Sequence, residues 1–227
     1  MQPMLGVHHM KLKRVRVKRH TLVFRALHWL IVAEGVTLGL TGLQLGGIWG
    51  VRVLPGGTAR AVHVIVGLAW FFTALLFTQY FLAEDYKWYS ISRIPYSITY
   101  MIAEAKAWFG IGPHLEEPIR YDPKKRKYIE KIVPTEAMVW WIFLILGLII
   151  AFTGLALAFP KSFTLVYEIA GGLAAVLGGG PYSMVRAIHR VAAAAILGVV
   201  ILHAYAAVVF KMLRAITLGY RDEPVAE

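Results

Sequence analysis

Four apolar runs, each about 20 residues long, constrain this chain more than any other feature. They fall near residues 22–45, 62–83, 137–159 and 187–210. Wound as an α-helix, a run of that length matches the hydrocarbon thickness of a bilayer. Inside hydrocarbon every backbone N–H and C=O needs an internal partner, which leaves only helices and closed barrels. The runs do not alternate apolar with polar residues, so the choice is helices. A composition of 58% hydrophobic and 16% charged residues agrees. The expected fold is an all-α integral membrane protein, a four-helix transmembrane bundle.

The net charge is +11. In a soluble protein that would point to nucleic acid, but its distribution here has another cause. Nineteen of the 24 Lys and Arg lie before or at the start of the first run, between the second and third, or after the fourth. Arg52, Arg60, Lys161, Arg186 and Arg190 make up the rest. The positive-inside rule then places both termini in the cytoplasm, and no nucleic-acid partner is needed. Residues 1–21 read as a basic cytoplasmic arm and 22–213 as the membrane domain, with an inner loop at about 84–136. Residues 214–227 read as a cytoplasmic tail. The first nineteen residues are basic rather than apolar, which is not the pattern of a signal peptide. Within the inner loop, 97–109 reads as an interfacial amphipathic helix. Residues 163–176 have room for a short helix on the outer face. There is no cysteine, which excludes iron–sulfur clusters, thiolate metal sites and covalent c-type haem from this chain.

The chain repeats itself. The first run reads His28-Trp29, Gly35, Thr41-Gly42-Leu43; the third reads Trp140-Trp141, Gly147, Thr153-Gly154-Leu155, at identical offsets. The second and fourth runs open alike, on Arg60-Ala61-Val62-His63 and Arg186-Ala187-Ile188-His189. Two repeats in matching order make the bundle two related hairpins in tandem. Trp140 stands where His28 would be and Phe77 where His203 would be, so the hairpins have diverged.

An imidazole in hydrocarbon is costly unless something binds it. With the inside-to-outside order of the spans, His63 and His189 fall at one depth, toward the outside. His28 and His203 fall at another, toward the inside. His203 follows His189 by fourteen residues, about 21 Å of rise on nearly the same helix face. Neutral imidazole is a standard axial ligand for haem iron. The four histidines therefore read as iron ligands of two stacked b-type haems: His28 with His203 at an inner site, His63 with His189 at an outer one. Gly35, Gly39 and Gly42 share the His28 face and would clear space for a macrocycle; helix–helix packing accounts for them equally. Arg60 and Arg186 are placed for propionates at the outer site, Arg25 and Lys211 at the inner one, with snorkelling to lipid headgroups as the alternative. His8, His9, His20 and His114 read as solvated or interfacial. Two other classes compete: a proton channel or transporter, for which Glu34 is the clear intramembrane carboxylate, and a purely structural anchor for a peripheral enzyme.

From about Arg19 to Phe210 the chain resembles the cytochrome b (gamma) subunit of respiratory formate dehydrogenases. The resemblance rests on the Arg25-x-x-His28-Trp29 start, the Thr-Gly pairs, the His63 opening and the His189…His203 span. The wider family includes membrane subunits of thiosulfate, polysulfide and hydrogenase-type complexes. It implies a prokaryotic plasma-membrane subunit for electron transfer, two haem b, and an exchangeable quinone near the cytoplasmic haem. It also implies an iron–sulfur partner and a catalytic subunit of molybdopterin or hydrogenase type. The family's Lys-Tyr-Asn…Gly-Gln quinone motif is replaced by Lys131-Ile132-Val133-Pro134-Thr135-Glu136. Glu136 or Thr135 stands as the candidate quinone contact. The alternative is a helix start, with Thr135 as N-cap and Glu136 in the first turn.

Overall fold

The computed structural model describes residues 13–226, so His8, His9 and Lys11 lie outside the described residues. In chain order the elements are β1 (Arg14–Lys18), α1 (Leu22–Gly46), α2 (Gly56–Tyr89), α3 (Ile94–Trp108), β2 (Arg120–Asp122) and β3 (Lys127–Glu130). They continue with α4 (Pro134–Ala158), α5 (Thr164–Leu177), α6 (Pro181–Val209), α7 (Leu213–Leu218) and β4 (Tyr220–Pro224). Helices α1, α2, α4 and α6 are long and apolar enough to cross a membrane. Helices α3 and α5 fall where the sequence placed its interfacial helix and its short second-loop helix.

Local chemistry sets where the spans begin and end. Thr21 starts α1: its hydroxyl accepts the Phe24 N–H at 3.2 Å and lies 2.6 Å from the Tyr80 hydroxyl of α2. Gly47 ends α1 in the left-handed region, φ 66°, which glycine enters without strain. Gln44 then closes the turn into α2, donating to the Leu54 carbonyl (2.6 Å) and accepting the Val53 and Leu54 N–H groups. Pro134 and Pro181 occupy the first turns of α4 and α6, where a missing N–H costs nothing.

The start of α4 differs from the expectation. Its N-cap is Val133, and Thr135 lies inside the first turn. Valine has no side-chain acceptor; its carbonyl takes the Glu136 N–H at 2.8 Å, and the Glu136 carboxylate turns back to accept the Val133 N–H at 3.2 Å.

The tandem reading of the sequence matches the packing. Helix α1 packs along α2 and α4 along α6, making two hairpins that touch through α2 and α4. Among the described residues α6 does not pack closely on α1 or α2. The repeated tryptophans do equivalent work. Trp29 Nε1 donates to the Ile216 carbonyl beyond α6 (3.1 Å), and Trp141 Nε1 donates to the Tyr89 carbonyl closing α2 (2.9 Å). Each hairpin's first helix is thereby pinned to the end of the other hairpin.

Both described chain ends meet at one end of the bundle, the near end. The arm and tail, read separately in the sequence, are joined: β1 pairs antiparallel with β4, Arg14 opposite Pro224 through Lys18 opposite Tyr220. The β2–β3 hairpin docks beside them through a parallel bridge from Tyr121 to Val225. Arg19, Arg221 and Glu223 are buried beneath this cap. Arg19 pairs with Glu223 at 2.8 Å, Arg221 pairs with Glu223 and Glu117, and the Tyr128 hydroxyl donates to Glu223 at 3.1 Å. Burial opposes the charge on Arg19, yet the facing carboxylates of Glu136 and Glu223 outweigh it and raise its pKa above the ordinary range.

Candidate functional site

The four intramembrane histidines come together as two pairs. His63 of α2 faces His189 of α6 with ring centres 6.4 Å apart, and His28 of α1 faces His203 of α6 at the same 6.4 Å. These are the pairs that depth alone predicted. The facing histidines come from different hairpins, across the seam where α6 does not pack closely on α1 or α2. In α6 the two levels are fourteen residues apart, His189 to His203. In α1 the same count separates His28 from Gly42, whose Cα lies against the His63 ring. Both helices thus set the levels about 21 Å apart.

The spacing within each pair has a direct chemical meaning. An imidazole nitrogen binds a first-row metal ion such as zinc at about 2.0–2.1 Å, and the ring centre lies ~1.1 Å behind that nitrogen. Two rings sharing one metal from opposite sides therefore have centres about 6.3 Å apart. Both pairs sit at that separation. A direct N–H···N hydrogen bond between the two rings would bring them closer.

The surroundings of the two pairs differ. At the far level Nδ1 of each ring is held by a threonine: Thr41 Oγ1 at 2.8 Å from His63, Thr153 Oγ1 at 3.0 Å from His189. At the near level the buried Nδ1 of His28 has no hydrogen-bond partner. Around it lie rings instead: Trp29 and Phe77 beside His28, and Phe143 edge-on to His203 at 5.8 Å. Phe77, standing where a symmetric repeat would carry a histidine, helps to wall the near pair.

The other sequence candidates are placed as follows. A Cβ added to Gly42 would lie 3.4 Å from His63 Cε1, so this glycine makes room for the imidazole itself. A Cβ at Gly35 or Gly39 would meet no atom within 4 Å, so neither is a tight helix–helix contact. Arg60 and Arg186 are exposed at the far end. Arg25 donates to the Thr217 carbonyl and to the Thr21 carbonyl (3.4 Å), which fastens α7 to α1, while Lys211 is exposed with φ 56°. Glu136 has both oxygens engaged, by the Val133 N–H and by the Tyr89 hydroxyl at 3.3 Å. Glu34 accepts from Thr73 Oγ1 at 3.1 Å, and its other carboxylate oxygen is buried without a hydrogen-bond partner.

Sequence reasoning singled out Thr41-Gly42 and Thr153-Gly154 as repeat markers and missed what they touch. The signal was there: a threonine and a glycine kept together on both first helices of the hairpins.

A b-type haem fits the donors present. Neutral imidazoles would supply nitrogens to the haem iron, and the ring separation within each pair admits one metal. A comparison with curated proteins gives no match. The family model for prokaryotic cytochrome b561 matches residues 19–218, which include all four spans and all four paired histidines. With that coverage, the chain belongs to the prokaryotic cytochrome b561 family, whose members are membrane b-type cytochromes of electron transfer.

Proposed function

We propose that this chain is a dihaem cytochrome b, the membrane electron-transfer subunit of a quinone-linked oxidoreductase of the formate dehydrogenase gamma type. His63 and His189 hold one haem b, and His28 and His203 hold the other. The observation that carries this reading is the pair of equal 6.4 Å separations at two levels of the bundle. Haem b, when bound, supplies a one-electron redox centre; the protein sets its ligands, depth and surroundings.

The near end carries most of the basic residues, so the positive-inside rule assigns it to the cytoplasm. Electrons then pass between a partner at the far, outer face and a quinone at the cytoplasmic level. Each charge moved against 100 mV costs about 2.3 kcal/mol, so the direction of flow decides whether the transfer builds or spends membrane potential. The resemblance supports an iron–sulfur subunit as the electron partner, joined to a catalytic subunit of molybdopterin or hydrogenase type. Arg60 and Arg186, exposed at the far end three residues before their histidines, are assigned to the outer propionates. Glu136 is assigned to starting α4 rather than to the quinone, because both its oxygens are engaged.

Absorbance tests this reading. The purified protein is expected to be red, to show reduced b-haem bands with dithionite, and to be reduced by a quinol. A colourless protein leaves the channel and anchor readings; haem that quinol cannot reduce removes the quinone link.

A further inference from the structure

The repeated Thr-Gly dipeptide does more than mark the repeat. Thr41 is the one buried residue of α1, at 2% exposure, and Thr153 is buried on α4. Each threonine sends its own hydroxyl proton back along its helix: Thr41 to the Thr37 carbonyl at 2.7 Å, Thr153 to the Ile149 carbonyl at 2.6 Å. A hydroxyl has one proton to give. Once it is committed, Oγ1 can only accept from the histidine. The Nδ1 of His63 and of His189 must therefore carry the hydrogen, and the lone pair is left on Nε2.

The glycine completes the arrangement. A Cβ at Gly42 would stand 3.4 Å from His63 Cε1, and one at Gly154 would stand 3.2 Å from His189 Cε1. The same ring edge is gripped by a hydroxyl and backed by bare Cα. The grip spans 22 residues in the first hairpin and 36 in the second. The extra length is that of the fourteen-residue α5, inserted without disturbing the contact.

We propose that Thr41-Gly42 and Thr153-Gly154 are two copies of a histidine socket. Each fixes the tautomer and ring orientation of the far-level ligand on the other helix of its hairpin, so that Nε2 is presented to the metal. The near level, where His28 Nδ1 is unpartnered, has no such socket. The inference rests on the bis-histidine reading above. Thr41 and Thr153 are positioning residues: they act through the histidine. Donation from Nδ1 makes the imidazole a stronger base toward the iron and favours the oxidised metal.

The test uses the full chain with its haems. Haem content, low-spin EPR signals and the two midpoint potentials are read in wild type, Thr41→Val, Thr153→Val, Thr41→Ser and Gly154→Ala. Either valine is expected to raise one midpoint potential and to weaken one haem by about tenfold, leaving the other signal in place. Thr41→Ser keeps the hydroxyl and is expected to restore the wild-type values. Gly154→Ala, with the tighter approach, perturbs the same haem as Thr153→Val. Valine variants indistinguishable from wild type, equal shifts or losses at both haems, or a serine that fails to rescue would overturn the sockets. A wild type without two haems would instead overturn the bis-histidine reading.

Discussion

Arg19 and Glu223, 204 positions apart in the chain, form an ion pair of 2.8 Å whose side chains are at most 2% exposed. The pair joins the entry of the first span to the last strand, at the point where both described ends of the chain converge. Arg19 also donates to the Lys131 carbonyl at 2.6 Å, so one guanidinium holds the N-terminal segment, the C-terminal strand and the approach to α4.

Removing Glu223 leaves two buried guanidinium groups, Arg19 and Arg221, without their shared acceptor. Breaking a buried pair by deleting one partner costs about 3–5 kcal/mol. Glu223→Ala is expected to lower stability by that amount in a denaturant titration in detergent. The Arg19→Met, Glu223→Leu double variant is expected to recover much of it, because Arg19 is then no longer a buried charge and Arg221 keeps its pairing with Glu117. A single variant within 1 kcal/mol of wild type, a surface-pair value, would contradict the buried network.

His20, immediately before α1, stacks on Phe24 with ring centres 4.3 Å apart. Burial, then the neighbouring charges of Arg19, Lys131 and Arg25, lower its pKa from 6.5 to about 2. Since the unfolded chain binds this proton more readily, the group's stabilisation is complete above pH 6.5 and is lost progressively as pH falls toward 2. His20→Phe keeps the stack and is expected to flatten that part of the stability profile. In the wild type, histidine NMR is expected to show the His20 ring neutral at pH 5; a titration near pH 6.5 would contradict the assignment.

Gly219 ends α7 with φ 88°, and a Cβ there would lie 3.0 Å from the His20 carbonyl oxygen. The Gly219 carbonyl in turn accepts the Arg19 N–H at 2.8 Å and the His20 N–H at 3.3 Å. Gly219→Ala combines a left-handed backbone, costing about 1–2 kcal/mol, with a clash against main chain. It is expected to lower the melting temperature and loosen the β1–β4 pairing, read as faster amide exchange at residues 14–18. Unchanged exchange would show that α7 does not brace the sheet.

The membrane part of the fold was legible because hydrocarbon punishes every unpaired backbone group, and four long apolar runs permit few solutions. The histidine pairs were legible because an even number of spans and a side-chain count give depth. The near-end cap was not. Arg14-Val15-Arg16-Val17-Lys18 alternates like a strand, but its partner lies some 200 residues away and no local pattern names it. The β2–β3 hairpin turns on Asp122, whose carboxylate accepts the Lys124 N–H at 2.9 Å and the Lys125 N–H at 3.1 Å. In the sequence Pro123, with Pro113, Pro118 and Pro134, reads only as a breaker. The start of α4 was misplaced by two residues because Thr135 looked like the better cap, while the N-cap is Val133, whose N–H the Glu136 carboxylate accepts. The sockets of Thr41 and Thr153 needed coordinates, since a repeated dipeptide does not say which neighbouring helix it grips.

The central claim is that His63 with His189, and His28 with His203, form two separate haem sites. Haem stoichiometry in the wild type and in the four single His→Ala variants tests it most directly. The account predicts two haem b per chain in the wild type. His63→Ala and His189→Ala are predicted to lose one and the same spectral component, and His28→Ala and His203→Ala the other. A wild type with one haem or none, or a His63→Ala that depletes the component lost in His203→Ala, would contradict it.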